Sequence, residues 1–417
     1  MSRKTKTTTT KEVGKPALTP KLRFPEFRDA EGWHATPGDE LFEQINNRQA
    51  HAGLPVLAIT QEHGAIPRDA IDYHVSVTDK SVETYKEVQP GDFIISLRSF
   101  QGGIEYSEYH GICSPAYVIL RKRAELSDQF FKPLFKSHSF IQQLTKNLEG
   151  LRDGKMISYK QFSELLLPNP TQPEQQKLAE CLSSVDEVIA AQARKLDALK
   201  SHKKGLMQEL FPREGETQPR LRFPEFQDAP EWGEKKLGNI VEIRSGYSPS
   251  KYVLSTLGKY PFVKVEDLNN CTKYQADSRK YCDDSYGAVP RSSVIFPKRG
   301  ASIELNKIRI TTCEILIDTN LMAISPDGTV TTEFLYYFLM NMGLAQIADT
   351  STIPQINNKH IIPFKILIPS KCEQQRIASC LGSLDDLITA ESEKLEALKT
   401  HKKGLMQQLF PSPEEEV

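Results

Sequence analysis

The chain has 417 residues, 39% of them hydrophobic, which excludes a disordered protein and calls for two or three domains. Its formal net charge of −1 weighs against a protein that holds DNA by charge alone. Apolar runs such as residues 165–167 are far too short to cross a bilayer, and seven cysteines without a CxxC pair or zinc spacing suit a reducing cytoplasm.

Residues 1–21 open with MSRKTKTTTTKEVGKP, which is basic with no apolar stretch behind it. The segment reads as a disordered basic tail and not as a secretory signal. Residues 22–27 are LRFPEF, and the stretch 28–173 then mixes strand-like and helix-like patterns. Strands are expected at 56–60 (VLAIT), 93–97 (FIISL) and 116–120 (AYVIL). A helix is expected over 130–148, with Phe131, Leu134, Phe135, Phe140, Ile141 and Leu144 mostly on one side. Arg98, Ser99 and Gln101 follow the strand at 93–97, in a segment that Gly102 and Gly103 release into a loop. Arg152 and Lys155 lie in a second basic loop, residues 151–159. Arg and Gln can hydrogen-bond base edges, which makes these five residues DNA-binding candidates, although most basic loops are only solvated surface.

Residues 174–212 form the first constant helix. Leu178, Leu182, Val185, Ile189, Leu196, Leu199, Leu206 and Leu210 advance in steps of about four and three, a heptad seam interrupted by Gln192 and Lys203. Polar seam residues cost stability but can fix register and partner. Pro173 suits a helix start, Phe211-Pro212 a stop, and 36 residues would make a rod of roughly 55 Å. Residues 213–220 are a linker.

LRFPEF then recurs at 221–226, and 373–411 repeats 174–212 with 25 of 39 positions identical, both at a shift of 199. Chance is excluded. Between the matches, 28–173 and 227–372 have equal length and little similarity, so the chain is built variable–constant–variable–constant. In the second variable stretch, strands are expected at 261–265, 294–296, 314–317 and 321–324, and a helix at 332–342. Its DNA-binding candidates are Lys298 and Arg299 after a strand, and Gln355, Asn357 and Lys359 in a polar loop. Lys and Arg number 15 against 19 Asp and Glu in the first variable stretch, and 17 against 15 in the second. Any DNA-reading surface must therefore be locally polarised. The second seam runs through Leu381, Leu384, Ile388, Leu395 and Leu398, broken at Glu391 and Lys402. Two near-identical seams are natural mates, and an antiparallel pair would give approximate two-fold symmetry. Leu182, Val185, Ile189, Leu196 and Leu199 with their counterparts are the helix-pair and partner-docking candidates. Residues 412–417 are an acidic tail.

Catalytic signals are missing. No GxxxxGK[ST] loop, glycine-rich dinucleotide fingerprint or metal-spaced His/Cys cluster occurs. Asn169-Pro170 only approaches the Asn-Pro-Pro-aromatic tetrapeptide of amino-methyltransferases. His202 and His401 are repeat-equivalent but sit beside lysines on a helix, which suits a solvated or partner-facing role.

The LRFPEF segments followed by Trp33 and Trp232, the EQQ-initiated helices, KLxALKxHKKGLMQxLFP, and the GDF (91–93), SPAY (114–117) and STIPQIN (351–357) segments resemble type I restriction-modification specificity subunits. The resemblance covers nearly the whole chain. It implies an α/β fold: target-recognition domains at 22–173 and 221–372, separated by conserved helical regions 174–212 and 373–411 that form an antiparallel coiled coil, pseudo-two-fold symmetric. It also implies a non-catalytic subunit whose domains each read half of a split DNA site. Two modification (methyltransferase) subunits would bring S-adenosylmethionine, and restriction (translocase/nuclease) subunits would bring ATP-driven activities. This chain would then bind no cofactor or metal, and act in the cytoplasm with no membrane partner. The competing reading is a coiled-coil adaptor that binds proteins without sequence-specific DNA binding.

Overall fold

The computed structural model describes residues 18–48, 53–71, 83–123, 125–146, 157–349 and 353–411. The expected tails at 1–21 and 412–417 therefore lie largely or wholly outside the described residues. The chain divides into two units, residues 1–192 with 394–417, and residues 193–393. Each takes one end of both long helices, Gln172–Leu210 and Lys371–Leu409.

In the first unit, Phe42–Ile45, Val118–Lys122, Phe93–Ile95 and Glu105–Tyr106 form an antiparallel sheet in that order. Strand alternation splits its side chains between two cores. Phe42, Phe93, Ile95, Val118 and Leu120 face helices and a cluster of phenylalanine rings, while Ile94 and Ile119 face Leu57, Val88 and Cys113 of a smaller β layer. A sheet covered on both faces explains why these strands read as continuous apolar runs. The strand expected from 116 starts at Val118, because Ser114–Tyr117 close a turn. The helix expected over 130–148 is two helices, Asp128–Lys136 and His138–Thr145. Ser137 is extended between them and its hydroxyl caps the second, accepting from Phe140 N. An apolar period continues across such a break, so periodicity alone could not show it.

The second unit repeats the plan. Val241–Ser245, Leu321–Pro326, Val294–Pro297, Arg309–Thr311 and Tyr274–Gln275 form its sheet. Val294, Phe296, Met322 and Ile324 face the helical core, and Ile295 and Ala323 the other. The helix Thr332–Met342 spans the expected residues, capped by Thr331, whereas the strand expected over 314–317 keeps only Leu316–Ile317.

The ladders show where the copies agree. His34–Pro37 pairs with Leu166–Asn169, and Gly233–Lys236 with Lys365–Ile368, in the same register and 199 residues apart at every position. Inside this frame the shift slips. Ile94 pairs with Ile119 and Ile295 with Ala323, so the central strands are offset by 201 and their partners by 204. The variable stretches are one fold closed at identical ends.

Each closure is held by the constant segments. Arg23 donates to both carboxylate oxygens of Glu174 at 2.7 and 2.8 Å, and to the carbonyls of Ala30 and Glu31. Arg222 makes the same contacts with Glu373, Ala229 and Pro230. Gln175 accepts from Ser127 N before one helix, and Gln374 from Thr331 N before the other. The first two residues of EQQ thus clamp the LRFPEF arginine and a helix N-terminus.

Within the first unit, Leu178 and Leu182 share a core with Leu405 and Leu409, Asp186 pairs with Lys402 at 2.5 Å, and Leu22 N donates to Gln408 O. Within the second, Ile377 and Leu381 share a core with Met207 and Leu210, Asp385 pairs with Lys203, Glu391 with Lys195 at 2.5 Å, and Leu221 N donates to Glu209 O. One helix ascends as the other descends in both units, which makes each pair antiparallel. Among the seam candidates, Leu182, Leu196, Leu381 and Leu395 are buried, and Val185, Ile189, Leu199, Leu384, Ile388 and Leu398 are half-buried. The polar seam residues Gln192 and Glu391 are buried as well.

The second unit adds a polar network. The fully buried Tyr337 donates its hydroxyl to Asp385 at 2.5 Å and accepts from Lys273 Nζ at 2.8 Å. Burial, then the Asp385 carboxylate, push its phenol far above the usual range. By the Phe130–Phe334 equivalence, set by their contacts with Trp33 and Trp232, the first unit has Pro133 at this position.

Two outcomes follow. Glu174→Ala strands an arginine only 8% exposed, and is expected to lower stability in urea unfolding by about 3 kcal/mol; Arg23→Met with Glu174→Leu recovers most of it. Tyr337→Phe keeps the ring but removes two hydrogen bonds, and is expected to cost about 1–2 kcal/mol by the same measurement.

Candidate nucleic-acid interface

Neighbouring strand ends gather loops from distant parts of the chain. In the second unit, Ser245 lies opposite Met322 and Pro297 opposite Leu321, so the segments after 245, before 321 and after 297 leave the sheet at one edge. Tyr247 N donates to Ile317 O at 3.1 Å and Lys298 N to Asn320 O at 2.9 Å. Gly246 allows the first approach, since a Cβ there would meet Asp318 O at 2.0 Å.

The two candidate loops of this unit come together at that edge. Arg299 and Gln355 form an antiparallel bridge, with Ile356 N donating to Lys298 O and Gly300 N to Pro354 O, both at 2.9 Å. Arg299 is exposed, and Lys298 and Gln355 half-exposed. Burial, followed by the Arg299 guanidinium, lowers the Lys298 ammonium below its ordinary range, while Asp318 opposes this. Asn357 precedes the short helix Asn358–Ile361 in a capping box with His360 and donates weakly to Gln355 Oε1 at 3.5 Å. Lys359 stands exposed on that helix. A guanidinium, an ammonium and two amides therefore share one surface, the donor and acceptor set that reads guanine and adenine edges in the major groove.

The first unit has a related edge. Ile95 lies opposite Val118, and residues 97–101 leave the sheet beside the turn 114–117. By ladder register Arg98 corresponds to Arg299, with the 201-residue offset of the central strands. Arg98 and Gln101 are exposed. Where a loop was expected, Ser99–Gly102 form one helical turn; Ser99 is buried, its hydroxyl accepting from Ser96 N at 2.9 Å, and so it shapes the turn that presents Arg98. Gln61, at a hairpin turn, donates to Arg98 O at 3.3 Å. Gly103 (φ +79°) docks this loop on the helix behind it, where a Cβ would lie 2.0 Å from Phe135 O. Arg152 and Lys155 lie outside the described residues.

Sequence reasoning missed Gln61, Tyr247 and Asn320, because contacts across strand ends leave no local pattern. It missed the Arg23–Glu174 clamp although a signal existed: both residues belong to repeated motifs, and both recur at the same shift. The GDF aspartate proves structural, since Asp92 is buried and takes two hydrogen bonds from Arg121 at 2.8 Å. Among the described residues no cluster of His, Cys, Asp and Glu could hold a metal, and no helix is long and apolar enough to cross a membrane.

Residues 230–400 match the type I restriction modification DNA specificity domain family. The type I restriction enzyme MjaVIII specificity subunit of Methanocaldococcus jannaschii is 24% identical, over 92% of this chain and 93% of the relative. A putative type I restriction enzyme MjaX specificity subunit from the same organism is 27% identical over 66% of this chain and 65% of its own. In fold, the chain resembles one solved in work on complex assembly and conformational transition of the type I R-M system (TM-score 0.62, 19% identity, 91% of this chain, 98% of that one). It also resembles a type I restriction-modification S subunit from M. genitalium (TM-score 0.53, 18% identity, 95% and 100%). The family match lies on the second copy of a frame that the first copy repeats strand for strand at its ends, and over nearly its whole length the chain is similar to type I restriction enzyme specificity subunits.

Proposed function

We propose that this chain chooses the DNA site for a type I restriction-modification complex, each unit reading one half of a bipartite sequence. The observation that carries this is the pair of register-equivalent arginines, Arg98 and Arg299, at matching strand ends of two unlike copies of one fold. A duplicated frame with diverged loops suits two different half-sites. The helices serve as spacer and as docking surface for two modification subunits, and each, at 39 residues, is roughly 58 Å long. One turn of B-DNA is about 34 Å, so a helix of this length spans the interval between two reading events on one face.

The chain itself is non-catalytic in this reading. Methyl donor and ATP belong to modification and restriction subunits, and no cofactor or metal is bound here. The cytoplasm is the compartment, in keeping with seven free cysteines. The near-zero net charge fits a chain whose partners supply most phosphate contacts. The matches lend no support to a coiled-coil adaptor.

The test is selection from a randomised duplex library by the chain reconstituted with its modification subunits. A two-part motif with a fixed gap is expected, and recovery of unstructured sequences would overturn the proposal. Exchanging residues 28–173 for another such domain should change one half-site only. Arg299→Ala should leave stability within about 0.5 kcal/mol and weaken specific binding by about 1–3 kcal/mol, with preference relaxed at one base pair. Four residues inserted near 195–199 should widen the selected gap; an unchanged gap on footprinting would remove the spacer role.

A further inference from the structure

The reading edge of the second unit holds one side chain that the polar contacts do not use. Ile353 is 70% exposed, in a segment pinned on its C-terminal side. Pro354 O accepts from Gly300 N, Gln355 and Asp349 exchange two backbone hydrogen bonds, and Ile356 is fully buried. A β-branched side chain on a pinned backbone has few rotamers, so the isoleucine is presented in a narrow range of directions. Ile353 lies two residues before Gln355, the residue bridged to Arg299. A single exposed aliphatic is ordinary on a protein surface. This one stands two residues from the bridge that sets a guanidinium across from an amide. Those three chemistries together complement the major groove: Arg suits guanine, Gln suits adenine, and an aliphatic side chain suits the 5-methyl group of thymine.

We propose that Ile353 is a specificity-determining residue that packs on a thymine methyl group in the half-site read by the second unit, an assignment that rests on the DNA-specificity reading above. The occupant is duplex DNA because Arg299 and Lys359 stand exposed at this edge, with the half-buried Lys298 next to Arg299 in the chain. An apolar patch on a protein partner would meet those cations, whereas a thymine methyl sits between phosphate backbones that attract them. Contact with the methyl also removes apolar surface of both partners from water without requiring a hydrogen bond.

The experiment uses the chain reconstituted with its modification subunits and a duplex bearing the selected motif. Each thymine of the second half-site is replaced in turn by deoxyuridine, which deletes the methyl and keeps the pairing. One replacement is expected to weaken wild-type binding roughly fourfold, the worth of one buried methyl-sized group. Ile353→Ala should weaken binding to the thymine duplex by a similar or larger factor and abolish the sensitivity to deoxyuridine, while Ile353→Val retains most of both. A flat deoxyuridine scan with wild-type protein, or a sensitivity that persists in Ile353→Ala, overturns the methyl contact and leaves the specificity reading intact. Failure of the wild-type complex to select any two-part motif instead overturns the specificity reading, and the methyl contact with it.

Discussion

In each unit a guanidinium closes on a glutamate in the first turn of a long helix, Arg23 on Glu174 and Arg222 on Glu373. These are buried charges, so each is tolerable only while the other stays in place and the remaining donors are met. They are met: both arginines also donate to two backbone carbonyls seven and eight residues on. The same short segment bonds through Leu22 N or Leu221 N to the C-terminal end of the other helix. It therefore joins the start of one helix, the end of the other and the first strand of the domain. The three cannot be varied separately without exposing or orphaning a charge. This is a physical reason why the two copies agree there and differ between. Anchored at both ends by strands in identical register, the interior can slip by two to five residues while the sheet order survives.

The helix pairs face a different problem. Two segments with 25 of 39 identical residues have every chance of pairing in the wrong direction. Charge placement discriminates against that. In the antiparallel arrangement Lys402 meets Asp186, and Lys203 meets Asp385. A parallel, in-register pairing would set Lys203 against Lys402 and Asp186 against Asp385. Seam lysines that weaken an apolar contact thus exclude a competing one, the usual use of polar residues at such positions. Where the second unit seats Tyr337 on Asp385, the carboxylate has a second, uncharged partner that also reaches Lys273. The pairing in that unit is thereby tied to the domain core as well as to the opposite helix.

Much of this was legible beforehand, and for definite reasons. The seams carry a 3.5-residue period that packing satisfies, and Thr332–Met342 is a nearly continuous apolar run of helical length whose residues 334–337 are all buried. The strands around Ile94 and Ile295 are apolar on both faces because both faces are covered. The break at Ser137 was hidden, since a capping serine inside an apolar period leaves the period unchanged. Of the two candidate edges, Arg98 in the first unit and Lys298, Arg299, Gln355, Asn357 and Lys359 in the second were identifiable by chemistry, but the grouping of the second set was not. The bridge between Arg299 and Gln355 joins residues 56 positions apart, and nothing local to either encodes the other. Ser99 shows the converse error: its type suits a base contact, but its hydroxyl is spent on the backbone of Ser96.

The charge of the chain bears on how such an edge can work. Affinity for DNA grows with the number of phosphates neutralised, while discrimination comes from a few contacts to base edges. An edge with one arginine, two lysines and two amides on a unit of nearly balanced charge is poor at the first task and equipped for the second. Several lysines elsewhere are already committed: Lys132 to Glu108, Lys136 to Glu105, Lys273 to Glu333, and Lys402 to Asp186. They hold the fold and its helix pairing together. A protein built this way gains selectivity by not binding DNA strongly alone, because a wrong sequence then has little phosphate attraction to compensate for its missing base contacts. In the proposed complex, a phosphate grip supplied by other subunits would keep that discrimination intact while the assembly holds its site.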